Sequence, residues 1–75
     1  MQTYANNGGN SGIFGYENGD AFIIVEFEEY LYKYSHVKPG KTHVEKMKEL
    51  AQVGQGLNTY INQNVKNYEW KKKKE

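Results

Sequence analysis

The sequence predicts a small α+β domain, in which a three-stranded antiparallel β-meander is followed by two α-helices packed on one face of the sheet. Short segments between residues 13 and 36 carry apolar residues in strand-like runs, and alternation along a strand places successive side chains on opposite faces. Between residues 43 and 68, apolar residues instead recur at helical spacing. The 75 residues suffice for one domain.

The first twelve residues are rich in Asn and Gly and show no apolar periodicity, so we expect a flexible segment over residues 1–12. A single domain is expected over residues 13–69. Its first strand leads into Asn18-Gly19, a dipeptide that tolerates positive φ and favours a type I′ hairpin turn.

The predicted central strand covers residues 20–27 and is followed by a reversal at Glu28-Glu29 and a third strand over residues 30–36. Strand alternation divides its apolar side chains between two faces. Helices on one face would leave the other partly exposed, and such an apolar patch commonly marks a protein interface. The residues expected on that exposed face are Phe22, Ile24 and Leu31.

Tyr30, Tyr32 and Tyr34 share one face of the third strand. Three aligned rings can form part of a core, or they can form a platform on which nucleic-acid bases stack. Placing Tyr32 and Tyr34 beside the Ile23–Val25–Phe27 face favours the core, with Tyr30 the most accessible of the three.

The segment Thr42-His43-Val44-Glu45 fits a capping box, which predicts a helix over about residues 43–52. Gly54 and Gly56 separate this helix from a second one that runs to about residue 68. We interpret Gly54 as a left-handed helix end and Gly56 as the entry to the next helix. The polar residues there, Gln52, Gln55 and Asn58, could also form a notch for an anion or a base edge.

The charge is unevenly distributed. The ten lysines and nine acids give a net charge of +1, but four lysines and one acid lie in residues 71–75, so residues 1–70 carry −2. Residues 70–75 are therefore expected to be a basic tail, either solvated and disordered or in contact with phosphates. The chain contains no arginine, which argues against sequence-specific DNA recognition.

The composition also bears on catalysis and location. There is no cysteine, and His36 and His43 occur without a nucleophile motif or a set of metal ligands. We therefore expect no enzymatic activity, no catalytic residues, no metal and no cofactor. No segment resembles a membrane span or a signal peptide, so we expect a cytoplasmic protein that does not bind membranes. The abundance of Asn, Lys, Tyr and Ile indicates an AT-rich coding source such as a low-GC bacterium or its phage, so the expected location is a bacterial host cell.

Several short motifs follow one another along the chain. They are Gly15-Tyr16-Glu17, the alternating Ile23, Val25 and Phe27, Tyr32-Lys33-Tyr34 followed by Val37, and Val53-Gly54 with Leu57-Asn58 and Ile61. Their order and spacing resemble those of the KTSC domain, a module named for its presence at the C-terminus of some lysyl-tRNA synthetases. The chain resembles stand-alone bacterial and phage members of this family over residues 11–68. The resemblance implies RNA binding, which has been suggested for the family, without a defined catalytic role.

Two functional hypotheses follow. The first is a weak RNA-binding or nucleotide-binding module, with the ligand held by Lys33, Lys38, Lys41, Gln55, Asn58, Lys71 and Lys72. The second is a protein encoded by a phage or mobile element that binds and modulates a host protein through Phe22, Ile24 and Leu31. Self-association into a homo-oligomer is a further option for so small a domain.

Overall fold

The computed structural model describes residues 1–7 and 12–74 and has an α+β fold, with an antiparallel sheet and two helices. The elements are β1 Gln2–Thr3, β2 Ile13–Asn18, β3 Phe22–Phe27, β4 Tyr30–Ser35, α1 Lys41–Val53, α2 Leu57–Asn64 and β5 Trp70–Lys73. The strands lie in chain order, β1-β2-β3-β4-β5. The expected three-stranded meander is therefore the centre of a five-stranded sheet.

Strand β1 comes from the segment that was expected to be flexible. Gln2 and Thr3 pair with Tyr16 and Gly15, and the Tyr4 amide donates to the Phe14 carbonyl oxygen at 3.0 Å. The sequence did not predict this strand, because a polar composition hid one large apolar side chain, Tyr4, which is only 3% exposed. Part of the predicted segment, residues 8–11, lies outside the described residues.

Strand β5 comes from the segment that was expected to be a tail. Its register pairs Tyr30 with Lys73, Tyr32 with Lys71 and Lys33 with Trp70. A lysine-rich edge strand is physically reasonable, because the backbone completes the ladder while the ammonium groups remain in water. The basic segment through Lys73 is thus part of the sheet.

The hydrophobic core lies on the face of the sheet that carries Ile23 and Val25, which together with Val44, Met47 and Leu57 are fully buried. The helices contribute to the same cluster as the strands. The complete cluster is Tyr4, Ile13, Tyr16, Ile23, Val25, Tyr34, Val44, Met47, Ala51, Leu57, Ile61 and Val65. The expected interior position of Tyr34 is confirmed.

The turns and helix ends differ in detail from the expectations. The hairpin after β2 occurs at the predicted place, but its residues 19–21 form a longer connection, and neither Asn18 nor Gly19 has positive φ. The type I′ prediction was therefore wrong. Gly19 packs against the Phe22 ring, and a Cβ there would lie 2.0 Å from a ring atom, so a larger residue would require the ring to move.

Helix α1 begins at Lys41 after Gly40, without a side-chain cap, so the predicted capping box does not form. The Glu45 carboxylate binds His36 and Lys48 instead. The left-handed conformation at Gly54 is confirmed, with φ 86°. Helix α2 ends at Asn64, earlier than expected, because Val65 is extended and its side chain returns to the core.

Candidate functional site

A cleft of about 380 Å³ lies between the tyrosine face of β4 and helix α2. We call it the tyrosine cleft. Its sheet wall consists of aromatic rings, and its other wall is mixed polar and aliphatic. The lining residues are Phe27, Tyr30, Tyr32, Tyr34, Asn58, Ile61, Asn62, Val65, Lys66 and Tyr68.

Alternation along β4 brings the rings together, because every second residue from Tyr30 onward is a tyrosine on the core side. Register fixes that side: Tyr34 is opposite Ile23 and Tyr32 is opposite Val25. Tyr34 is buried, whereas Tyr30 and Tyr32 are half-buried. Tyr34 therefore fits the interpretation as a core residue, whereas Tyr30 and Tyr32 keep ring surface that a stacked ligand could reach.

Tyr32 is the centre of the aromatic cluster. Its ring is stacked with Tyr34 at 6.1 Å between centroids and meets Tyr68 edge-to-face at 5.1 Å. Phe27 and Tyr30 also meet it edge-to-face, at 5.3 and 6.3 Å. Edge-to-face and stacked pairs each contribute about 0.5–1.5 kcal/mol beyond their area burial, so the cluster fixes its own ring orientations.

Burial raises the pKa of the Tyr34 hydroxyl well above its usual value of 10, and the neighbouring Tyr32 and Tyr68 add to the effect. The hydroxyl therefore stays neutral throughout the physiological range. It is a hydrogen-bonding group on the cleft wall and not a base.

Helix α2 and the segment after it supply the polar wall. Asn58 and Asn62 are four residues apart on α2 and so share one side of the helix, and Lys66 follows the helix end and also lines the cleft. Lys66 Nζ donates to the Asn62 carbonyl oxygen at 3.0 Å. Amide and ammonium groups thus face the aromatic wall across the cleft.

The position of α2 depends on residues 1–7, which we call the N-terminal strap. The Leu57 amide is the first of α2, so it has no acceptor within the helix, and it donates to the Tyr4 hydroxyl oxygen at 3.3 Å. The Asn7 amide donates to the Gly54 carbonyl oxygen at 2.6 Å. A Cβ on Gly54 would lie 2.6 Å from the Ala5 Cβ, so the glycine also makes room for the strap.

Lys71 lies at the edge of the tyrosine cleft. Its ammonium nitrogen is 4.7 Å from the Tyr30 ring centroid and 5.7 Å from that of Tyr32. The cleft's described lining residues include Lys66 but no carboxylate. The electrostatic environment therefore favours neutral or anionic ligands over cations.

The residues expected to bind a ligand do not form one site. Asn58 lines the cleft and Lys71 lies at its edge, whereas Lys33 and Lys72 belong to the other face of the sheet. Three further members are elsewhere: Lys38 in the turn after β4, Lys41 at the start of α1, and Gln55 exposed between the helices.

Sequence reasoning missed three lining residues of the tyrosine cleft, Asn62, Lys66 and Tyr68. The spacing of four residues between Asn58, Asn62 and Lys66 was a usable signal for the first two. Tyr68 had no such signal, because it was assigned to a helix that in fact ends before it.

The other side of the sheet, which we call the outer sheet face, carries Phe22, Ile24 and Leu31 as expected, all half-buried. Register adds Trp70, which pairs with Lys33. The Lys33 ammonium lies 4.7 Å from the Phe22 ring centroid and 3.6 Å from a Glu69 carboxylate oxygen. The apolar patch is thus larger than the three expected residues.

The histidines are each engaged in a hydrogen bond. His36 Nε2 donates to Glu45 Oε2 at 2.7 Å, and His43 Nδ1 shares a hydrogen bond with the Tyr60 hydroxyl at the same distance. The described residues contain no group of three His, Cys, Asp or Glu suited to a metal ion. In the described part of the chain, no helix is long and apolar enough to cross a membrane.

Comparison of the chain with protein-family models, with curated proteins and with solved structures finds no match.

Proposed function

We propose that this protein is a small non-enzymatic binding module that holds a nucleotide-type ligand, free or as part of an RNA, in the tyrosine cleft. The observation that carries the proposal is the composition of that cleft: a wall of four tyrosines and a phenylalanine opposite two asparagines and a lysine. The resemblance to KTSC domains, for which RNA binding has been suggested, points the same way.

Each wall matches one part of such a ligand. Aromatic side chains bind bases through their π-faces, and one stacked base contributes about 1–3 kcal/mol. Asparagine amides both donate and accept, as the edge of a base requires. Lys66 in the cleft lining and Lys71 at the cleft edge provide positive charge for a phosphate.

A cationic ligand fits the cleft less well, although aromatic cages often bind quaternary ammonium groups. Such sites benefit from a carboxylate, and the described lining residues include none. A cation would also meet the ammonium of Lys71, which already lies over two of the rings. Charge therefore favours a phosphate-bearing ligand.

The test is a titration of the isotope-labelled protein with mononucleotides and short single-stranded oligoribonucleotides, followed by NMR and calorimetry. Free mononucleotides and oligomers form separate arms, which distinguish the two sources of the same chemistry. We expect Tyr68→Ala to weaken binding roughly 5- to 150-fold, the equivalent of one stacked base. Tyr68 is 39% exposed, so the fold should tolerate its removal.

Lys38→Gln and Lys41→Gln are the matched controls, since both are exposed and neither lines the cleft. Lys71→Gln removes the positive charge at the cleft edge and should weaken nucleotide binding, whereas these two controls remove the same charge elsewhere and should change affinity little. Equal losses in all three variants would show that binding is a non-specific charge effect. No saturable binding of any nucleotide would refute the proposal.

A second function, docking to a host protein, is favoured by the outer sheet face. Phe22, Ile24 and Leu31 lie together with Trp70 on a face that remains half-buried in the isolated chain. Aromatic anchors of this kind often dominate protein interfaces. Affinity capture from a bacterial lysate, with and without nuclease, tests this idea.

Capture of one stoichiometric protein that survives nuclease and is lost in Ile24→Lys supports the second function. The control is Tyr68→Ala, which alters only the cleft and should retain the partner. Sedimentation of the purified chain shows whether the partner is a second copy. If the wild-type chain captures no protein from the lysate and is a monomer in solution, docking through the outer sheet face is excluded.

A further inference from the structure

Lys71, at the edge of the tyrosine cleft, covers part of two of the aromatic rings that line it. Its ammonium lies over Tyr30 and Tyr32, both of which line the cleft. It makes no ion pair with a described carboxylate, so the rings are its visible partners. A cation held over a ring is stabilised by the ring's negative face.

We propose that Lys71 is a specificity-determining residue, which makes the cleft select planar ring ligands that carry an anionic group over the corresponding neutral rings. This inference rests on the proposed nucleotide-binding function and names the ligand class of the same site. In chemical terms, a nucleoside monophosphate binds and its uncharged nucleoside binds poorly.

Ligand binding at these rings exchanges one contact for another. A ring that stacks on the face of Tyr30 or Tyr32 covered by Lys71 has to displace the ammonium, and it thereby breaks the cation–π contacts. A neutral ligand gives the displaced lysine nothing in return. A phosphate attached to the ring offers the lysine a charge-assisted hydrogen bond, which is stronger than the contact that was lost.

The strand geometry permits this exchange. Lys71 is on β5 directly opposite Tyr32, so its backbone is fixed by the ladder while its four-carbon side chain can rotate away from the ring. Lys66, which lines the cleft from the α2 side, provides a second positive group nearby.

Lys73 provides a matched control within the same strand. It lies on the same side of the sheet, opposite Tyr30, and is exposed. Among the described residues Lys73 makes no cation–π contact, whereas Lys71 makes two. Lys71→Gln and Lys73→Gln thus remove equal charge from one strand, but only the first frees the rings.

The experiment compares the affinities of adenosine and adenosine monophosphate for the wild-type chain, Lys71→Gln, Lys71→Arg and Lys73→Gln, all verified as folded by their amide spectra. We expect the wild type to prefer the monophosphate roughly five- to tenfold. Lys71→Gln should lose that preference, because the monophosphate binds more weakly while adenosine binds at least as tightly. Lys71→Arg and Lys73→Gln should keep it.

Two results would overturn the inference in different ways. If both compounds bind but their affinity ratio is unchanged in Lys71→Gln, the role of Lys71 is wrong and nucleotide binding stands. If neither compound binds the wild-type chain, the proposed function fails and the inference with it.

Discussion

Removing a single oxygen atom from Tyr4 tests whether the N-terminal strap holds α2 in place. In Tyr4→Phe the ring stays in the core, where Tyr4 is 3% exposed, and only the acceptor for the Leu57 amide is lost. That amide begins α2 and has no alternative acceptor within the helix. The variant therefore leaves a buried donor unsatisfied.

An unsatisfied buried donor lowers the free energy of unfolding by about 1–3 kcal/mol. The Leu57 nitrogen and the Tyr4 oxygen are 3.3 Å apart, a long hydrogen bond, so we expect the lower half of that range. A loss of about 1 kcal/mol lowers the Tm of a domain of this size by roughly 4–8 °C. Urea denaturation followed by circular dichroism should show a lower midpoint with an unchanged slope.

Asn7→Ala is the control for this experiment. Its side-chain amide donates to the Val53 carbonyl oxygen at 3.2 Å, but on an exposed surface, so water replaces it and the change should stay below about 0.5 kcal/mol. Equal stability of Tyr4→Phe and the wild type would refute the reasoning, because it would mean that the strap does not hold α2 through this contact.

Other predictions concern the core and the titrating groups. Met47→Ala removes a fully buried side chain and should cost about 2–5 kcal/mol in chemical denaturation. Because the pKa of Tyr34 is raised in the folded state, its contribution to stability is fully present below pH 10 and is lost as the pH rises further, by up to about 1.4 kcal/mol per pH unit. Denaturation above pH 10 should therefore show a shallower decline in Tyr34→Phe, and parallel curves would contradict this. The pKa of Glu45 is lowered, chiefly by its hydrogen bond with His36, so its contribution is present above about pH 4.5 and is lost on acidification. Glu45→Gln should remove part of the wild-type protein's acid sensitivity in the same assay.

The sequence predicted the fold well where the spacing of the apolar residues matches their burial. The buried Ile23 and Val25 alternate with half-buried residues of the outer sheet face, and register then fixes which tyrosines join the core. Gly54 likewise marked a left-handed helix end, because the backbone there needs positive φ.

The two outer strands could not be predicted from local pattern. Gln2-Thr3 is too short and polar to show alternation, and its place is fixed by the distant contact between Tyr4 and Leu57. The lysines of β5 are all hydrophilic, so no periodicity distinguishes a strand from a solvated tail. Both strands are set by ladder partners far away in sequence.

The candidate site was predicted only in fragments for the same reason. Asn58 and Lys71 were identified separately, from a helix start and a charge run, and a local pattern gave no reason to join them. Their proximity arises because β5 returns to the open edge of β4, next to the tyrosines that α2 faces across the cleft.

Because the side chains of β5 alternate between the two faces of the sheet, the number of residues that precede this strand decides which side chains each face carries. Trp70 and Lys72 share the outer sheet face, while Lys71 and Lys73 share the tyrosine side. One residue inserted just before Trp70, with the hydrogen-bonded ladder kept in place, would exchange these two sets. The indole would then lie against the tyrosines, and a different pair of lysines would point toward the outer sheet face. Inserting one uncharged residue would thus change the side chains on both candidate binding surfaces without changing the net charge. Inserting two residues would return each side chain of β5 to its original face.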